Sequence, residues 1–220
     1  MSRMPIVVLA SGSGSNLQAL MDAAAAQTLP VSVAAVVSDR DGAYALERAA
    51  RAGIPAHVVR RRDYRDGDAF CEALRRCIDA HRPGLVVLAG FMRILNGAFV
   101  GHYRRRLINL HPSLLPKYRG LDTHRRVLEH GERWHGASVH FVSEELDAGP
   151  VIIQGRIEVE PGDSPERLQQ KVHGVEHRIL PAAVRWFAEG RLTITGDRVL
   201  LDGRTSPEQG LSGEGDTLNP

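Results

Sequence analysis

The sequence predicts an α/β fold, an open, mostly parallel twisted sheet with helices on both faces and antiparallel strands in its C-terminal part. Strand-like apolar runs alternate with helix-like segments through the first half of the chain. Those runs are continuous Val, Ile and Leu with no polar alternation, the pattern of strands covered on both faces. A βαβ rhythm of this kind closes as a parallel sheet with crossover helices.

Taken in order, residues 6–10 read as strand, 17–26 as helix and 31–37 as strand. Residues 44–52 are helical and stop at Gly53, 56–59 form a short strand, 68–81 are helical and 85–89 are strand. After Gly90 the rhythm changes. A short helix over 96–103 leads to a strand over 107–110, then to a Pro- and Gly-rich segment over 111–121 and a helix over 123–130. Residues 138–142 alternate as a strand does, 144–150 form an acidic turn, and 151–159 read as a strand antiparallel to the one before. Ser164-Pro165 is a helix start, a cap followed by Pro at the first helical position, and that helix runs to Phe187. Residues 192–195 and 199–201 flank Gly196-Asp197 as a hairpin. Residues 206–220, rich in Gly, Ser, Pro and Glu, are expected to be a disordered tail.

A chain of 220 residues buries about 70% of its surface, enough for one domain and too little for a large second module. Hydrophobic residues at 43% and charged residues at 25% are ordinary globular values. The tail holds Glu208, Glu214 and Asp216 and no base, so the net charge of +2 leaves +5 on residues 1–205. Only Lys117 and Lys171 among the 28 basic residues are lysines; a compositional bias explains this, although Arg forks also suit phosphate and carboxylate ligands. The triplets Arg60-Arg61-Arg62 and Arg104-Arg105-Arg106 lack interleaved aromatics, so a nucleic-acid partner is not expected. Cys71 and Cys77 fall on one predicted helix with about 9 Å of rise between them, beyond disulfide reach. The first apolar run is shorter than the ~7–15 residues of a signal sequence, and no run approaches the ~18 of a membrane span. A soluble cytoplasmic protein, with no membrane partner, is expected.

Three places carry chemistry. Ser11-Gly12-Ser13-Gly14-Ser15-Asn16 joins the first strand to the first helix. Small residues there let the backbone approach an anion, and the helix start supplies unpaired N–H groups, so a phosphate site is the natural reading beside that of a capped tight turn. A third glycine is replaced by Leu17 and no Gly-Lys-Ser/Thr follows, which favours a small phosphomonoester over a dinucleotide or ATP. Asn109 and His111 end a predicted central strand and project from one face, ~7 Å apart. An amide beside an imidazole suits acyl transfer, the first stabilising an oxyanion while the second moves or balances a proton; a satisfied core histidine is the plainer alternative. The loop His111-Pro112-Ser113-Leu114-Leu115-Pro116 is constrained, with Leu115-Pro116 a candidate cis bond. Asp147, in an acidic turn, is either a turn-former or a carboxylate that favours the imidazolium form of His111. His173 and His177 lie four apart with Glu176 between them and lack a third metal ligand, so no metal is expected. No Gly-x-Ser-x-Gly motif supports a serine hydrolase.

Together with Leu88-Ala-Gly-Phe-Met-Arg93-Ile-Leu95, Gly136-Ala-Ser138-Val-His140-Phe and Glu145-Leu-Asp147-Ala-Gly-Pro-Val151, these motifs resemble the phosphoribosylglycinamide formyltransferase family over residues 4–205. The resemblance implies a Rossmann-like formyltransferase fold and transfer of a formyl group from 10-formyltetrahydrofolate to 5-phosphoribosylglycinamide in purine biosynthesis. It implies a single domain over 1–205, with a phosphate-binding half over roughly residues 1–100 and a folate and catalytic half over 101–205. It assigns the substrate phosphate to Gly14, Ser15 and Asn16, and the glycinamide or ribose end to Glu176. Met92, Arg93, Ile94 and Leu95 would line the folate pocket, joined by Asn109 and by the turn from Val142 to Asp147. Asn109, His111 and Asp147 would be catalytic, and Ser138 and His140 would support them. Family members often offer a basic residue to the folate from the loop over 63–68; here Gly67 takes that place and Arg65 is nearby. The expected assembly is a monomer or homodimer. A folate-dependent hydrolase of the deformylase type and a non-catalytic nucleotide- or folate-binding module are the alternatives. Relatives acting on formyl-tetrahydrofolate by hydrolysis or on a tRNA usually carry a further domain, for which this length leaves no room.

Overall fold

A computed structural model describes residues 3–205 and 211–212. The chain divides into two compact units, residues 1–109 and 110–220. The first holds five parallel strands, β1 (Met4–Leu9), β2 (Val31–Ser38), β3 (Ala56–Val58), β4 (Leu85–Leu88) and β5 (Leu107–His111), in the order β3-β2-β1-β4-β5. Ile6, Val7, Val8 and Leu9 are all fully buried, as are Leu85, Val86 and Val87. Successive residues of a strand face opposite sides, so both faces of the sheet are covered. The covering helices are α1 (Ser15–Ala25), α2 (Tyr44–Arg51), α3 (Gly67–Asp79) and α4 (Gly97–His102). Two of them are capped by the side chain that precedes them: Asp66 accepts from Ala69 N at 2.8 Å and Asn96 accepts from Phe99 N at 2.9 Å.

In the second unit the end of β5 is followed by α5 (Thr123–Glu129), β6 (Trp134–Phe141), β7 (Val151–Glu158) and α6 (Pro165–Ala188). β6 and β7 are antiparallel, as the sequence suggests, and the sheet order is β5-β6-β7. β6 begins at Trp134 rather than at Ser138, because the ladder to β7 extends back through Ala137, Gly136 and His135, which pair with Gly155, Arg156 and Ile157. α6 starts on Ser164, whose hydroxyl accepts from Arg167 N at 3.2 Å, and continues through Pro181. An interior proline removes a helix hydrogen bond; the buried face of Val172, Ile179, Leu180, Ala183 and Val184 holds the helix together across it. A separate three-stranded antiparallel sheet comprises β8 (Leu192–Thr195), β9 (Arg198–Leu201) and β10 (Arg204–Thr205). Leu211–Ser212 forms β11, parallel to β7; the rest of the expected tail over 206–220 lies outside the described residues.

No helix among the described residues is long and apolar enough to cross a membrane. Cys71 and Cys77 both lie on α3 as free thiols, and burial pushes both thiol pKa values up.

Candidate active site

The glycine loop of the first unit is built to keep backbone close to backbone. Gly14 precedes α1 with φ +69°, a left-handed conformation that glycine adopts without penalty. A Cβ on Gly14 would fall 2.7 Å from the Cα of Ala45. α2 braces the loop further, since Ala45 N donates to Gly12 O at 3.1 Å and Arg48 Nε donates to Ser13 O at 2.8 Å. Ser15 and Asn16 therefore open α1, where N–H groups and the positive end of the helix dipole favour an anion.

The segment after β4 is fastened to the same unit. Ser11 N donates to Gly90 O at 3.0 Å, and Ser11 Oγ accepts from Met92 N at 2.9 Å. Arg93 Nε lies 2.5 Å from Oδ2 of Asp39, a carboxylate with no exposed side-chain surface. Met92 is 55% and Ile94 83% exposed. Large apolar side chains held out in this way suit a flat apolar ligand.

In the second unit His111, only 5% exposed, ends β5. Its Nδ1 lies 3.4 Å from Asp147 Oδ2, and its Nε2 lies 2.9 Å from the carbonyl of Tyr118. Asp147 Oδ2 also accepts from Gly120 N at 2.9 Å, and His140 Nε2 is 3.8 Å from Asp147 Oδ1. Burial holds the His140 ring at a pKa of about 4, against the pull of the Phe141 carbonyl and of Asp147, so this ring is neutral at pH 7. Its Nδ1 donates to Phe141 O at 2.9 Å. Gly149 closes the acidic turn onto β6 where a Cβ would strike the Phe141 carbonyl. The sequence-predicted residues His111, Asp147 and His140 are thus gathered into one buried cluster.

Ser138 supports the cluster from β6. Its hydroxyl donates to Ser113 O at 2.6 Å and accepts from Leu115 N at 3.1 Å. Gln154 on β7, opposite Ser138, donates to Ser138 Oγ and to Leu115 O, both at 2.8 Å. These bonds fix the loop that follows His111, in which Leu115-Pro116 is cis as expected. Sequence reasoning missed Gln154, although a polar residue following Ile152 and Ile153 in an apolar strand is a visible signal. It also missed the Tyr118 carbonyl and the Gly120 N–H, which leave none. Glu176 is buried on α6 with its carboxylate 3.9 Å from His173. The rings of His173 and His177 stack at 6.3 Å, and no cluster of three or more metal-ligating side chains occurs among the described residues. Arg65 is paired with Asp66 at 2.9 Å. Of the first arginine triplet, Arg60 and Arg62 pair with Asp41 and Asp63; of the second, Arg106 lies over the Tyr103 ring.

A glycine loop after the first parallel strand and a buried His–Asp pair that begins at the end of β5 mark a chain with an anion-binding turn and an acid–base pair, and residues 4–184 match the formyl transferase family model. The chain belongs to that family. It is 49% identical to the phosphoribosylglycinamide formyltransferase of Escherichia coli (strain K12), over 96% of this chain and 100% of that protein. Among solved structures it resembles the phosphoribosylglycinamide formyltransferase of Coxiella burnetii, with a TM-score of 0.89 and 48% identity over 94% of this chain and 98% of that one. A formyltetrahydrofolate deformylase from Pseudomonas syringae pv. tomato has a TM-score of 0.85 but only 27% identity, over 90% of this chain and 66% of that one.

Proposed function

We infer that this chain transfers the formyl group of 10-formyltetrahydrofolate to the amine of 5-phosphoribosylglycinamide, giving the N-formyl ribonucleotide and tetrahydrofolate in purine biosynthesis. The observation that carries the chemistry is His111 held with Nε2 on the Tyr118 carbonyl and Nδ1 beside Asp147.

In this reading Gly14, Ser15 and Asn16 bind the ribonucleotide phosphate and Glu176 its glycinamide or ribose end. Met92, Arg93, Ile94 and Leu95 bind the folate, with Asn109 and Asp147 contributing at its reacting end. The neutral amine attacks the formyl carbon, forming a C–N bond and a tetrahedral oxyanion that Asn109 and protonated His111 stabilise. A carbonyl oxygen only accepts, so Tyr118 keeps a proton on Nε2 and leaves Nδ1 as the nitrogen for the chemistry. Asp147 balances the imidazolium charge and helps place a water that carries the amine proton to the leaving N10 as the formyl C–N10 bond breaks. No covalent enzyme intermediate and no metal are required. The proposal includes a cytoplasmic location, where a reducing pool keeps Cys71 and Cys77 as thiols, and a monomeric or homodimeric chain.

Hydrolysis is the competing outcome, and identity favours transfer, 49% against 27%. Tetrahydrofolate release should require the ribonucleotide. Release at the same rate without it would assign the chain to hydrolysis.

A further inference from the structure

One turn holds both members of the His111–Asp147 pair. Tyr118 presents its carbonyl to His111 Nε2 at 2.9 Å, and Gly120 N–H donates to Asp147 Oδ2 at 2.9 Å. Tyr118 has φ +57°, a left-handed backbone that a bulky residue keeps only when its surroundings hold it there. Glu132, in the turn before β6 and outside every motif of the sequence, supplies that hold. It accepts the Tyr118 hydroxyl at 2.9 Å and the Lys117 ammonium at 2.8 and 3.0 Å. The Arg126 guanidinium covers the Tyr118 ring at 5.3 Å and the His130 ring meets its edge at 5.6 Å.

We propose that Glu132 is a positioning residue for formyl transfer, gripping Lys117 and Tyr118 so that the turn keeps the Nε2–H of His111 on the Tyr118 carbonyl and aims Asp147 at Nδ1. The claim about rate rests on the functional reading above; the claim about the His111 ring does not. An exposed ion pair adds little to stability, so the effect of Glu132 is expressed in the ring and the rate. The charged and titratable groups around His111 are Asp147, His140 beyond it, Arg119, paired with Glu145, and the His124–His135 pair, whose protonation His111 opposes. The charge of Glu132 is taken up by Lys117 and the Tyr118 hydroxyl, so a substitution there acts through the turn.

The test uses the full chain with 15N-labelled histidine and long-range 1H–15N spectra of the His111 ring, alongside kcat and KM. In Glu132→Ala the Nε2–H resonance of His111 should lose the downfield shift and slow solvent exchange that its bond to the Tyr118 carbonyl confers. The value of kcat should fall about 10–100-fold, with KM for each substrate within about twofold of wild type. Glu132→Gln, which still accepts the Tyr118 hydroxyl, should recover part of both. Tyr118→Phe should resemble Glu132→Ala and add little to it. If Glu132→Ala does not fold, the Gln and Phe variants carry the same comparison. An unchanged His111 spectrum in these variants overturns the proposal, whether or not kcat falls. Should the wild-type chain transfer no formyl group, the functional reading falls while the ring spectrum still decides the role of the turn.

Discussion

Asp147 reaches His111 from a left-handed corner, its backbone φ at +49° bringing Oδ2 to 3.4 Å from His111 Nδ1. The carboxylate is 8% exposed and the imidazole side chain 7%. Charge that develops on this ring is therefore met by a fixed neighbour rather than by bulk water. Asp147→Asn keeps the shape and removes the charge, and should lower kcat by roughly 10²–10⁴. Asn109→Ala and His111→Ala should each lower kcat by about 10²–10³. Steady-state kinetics decide, and near-wild-type turnover in the Asn109 and His111 variants together would remove them from the mechanism.

The glycine loop makes a different prediction, because Gly14 is constrained by conformation and by space. An alanine there must adopt φ +69° and place its Cβ 2.7 Å from the Ala45 Cα. Gly14→Ala should destabilise the fold by about 1–3 kcal/mol and raise KM for the ribonucleotide while leaving KM for the folate near wild type. Urea unfolding and separate KM determinations check both parts. An equal rise in the two KM values would show that this loop does not bind the phosphate.

Ser138 joins three partners at a fully buried position, Ser113 O, Leu115 N and Gln154 Nε2. Ser138→Ala leaves those groups short of a partner and should cost about 1–3 kcal/mol of stability. Since the same bonds fix the loop that leads to Tyr118 and Gly120, kcat should fall as well. A variant as stable and as active as wild type would show that the loop is held by other means.

Acid should weaken the fold before the carboxylates titrate. Burial holds His135 and His140 at pKa values of about 4, against an ordinary 6.5, with the neighbouring His124 adding to the effect on His135. Between pH 6.5 and 4 the unfolded chain takes up protons that the folded chain refuses, so stability is full above 6.5 and falls as the pH drops through this window. At pH 5 each ring should account for a loss of about 2 kcal/mol relative to pH 7. Urea unfolding at the two pH values measures the loss, and His135→Gln should flatten the slope. Stability independent of pH over this range would contradict the burial of these rings as neutral groups.

Side chains with a distinctive pattern were legible in the sequence. The runs at Ile6–Leu9 and Leu85–Val87 announce strands buried on both faces, and Asn109 and His111 stand out as polar residues at a strand end. Asp147 could be placed only by resemblance, since nothing local brings residue 147 to residue 111. The groups that fix the pair, the Tyr118 carbonyl and the Gly120 N–H, are backbone atoms, and every residue carries those. The sequence marks β6 only from Ser138, because His135, Gly136 and Ala137 are buried in the strand without a polar–apolar alternation to announce it.

The central claim, transfer rather than hydrolysis, is tested most directly by following the formyl carbon itself. With 10-formyltetrahydrofolate 13C-labelled at the formyl group, the label should appear as the N-formyl amide of the ribonucleotide, in step with tetrahydrofolate release. Label appearing instead as free formate, at a rate indifferent to the ribonucleotide, would contradict it.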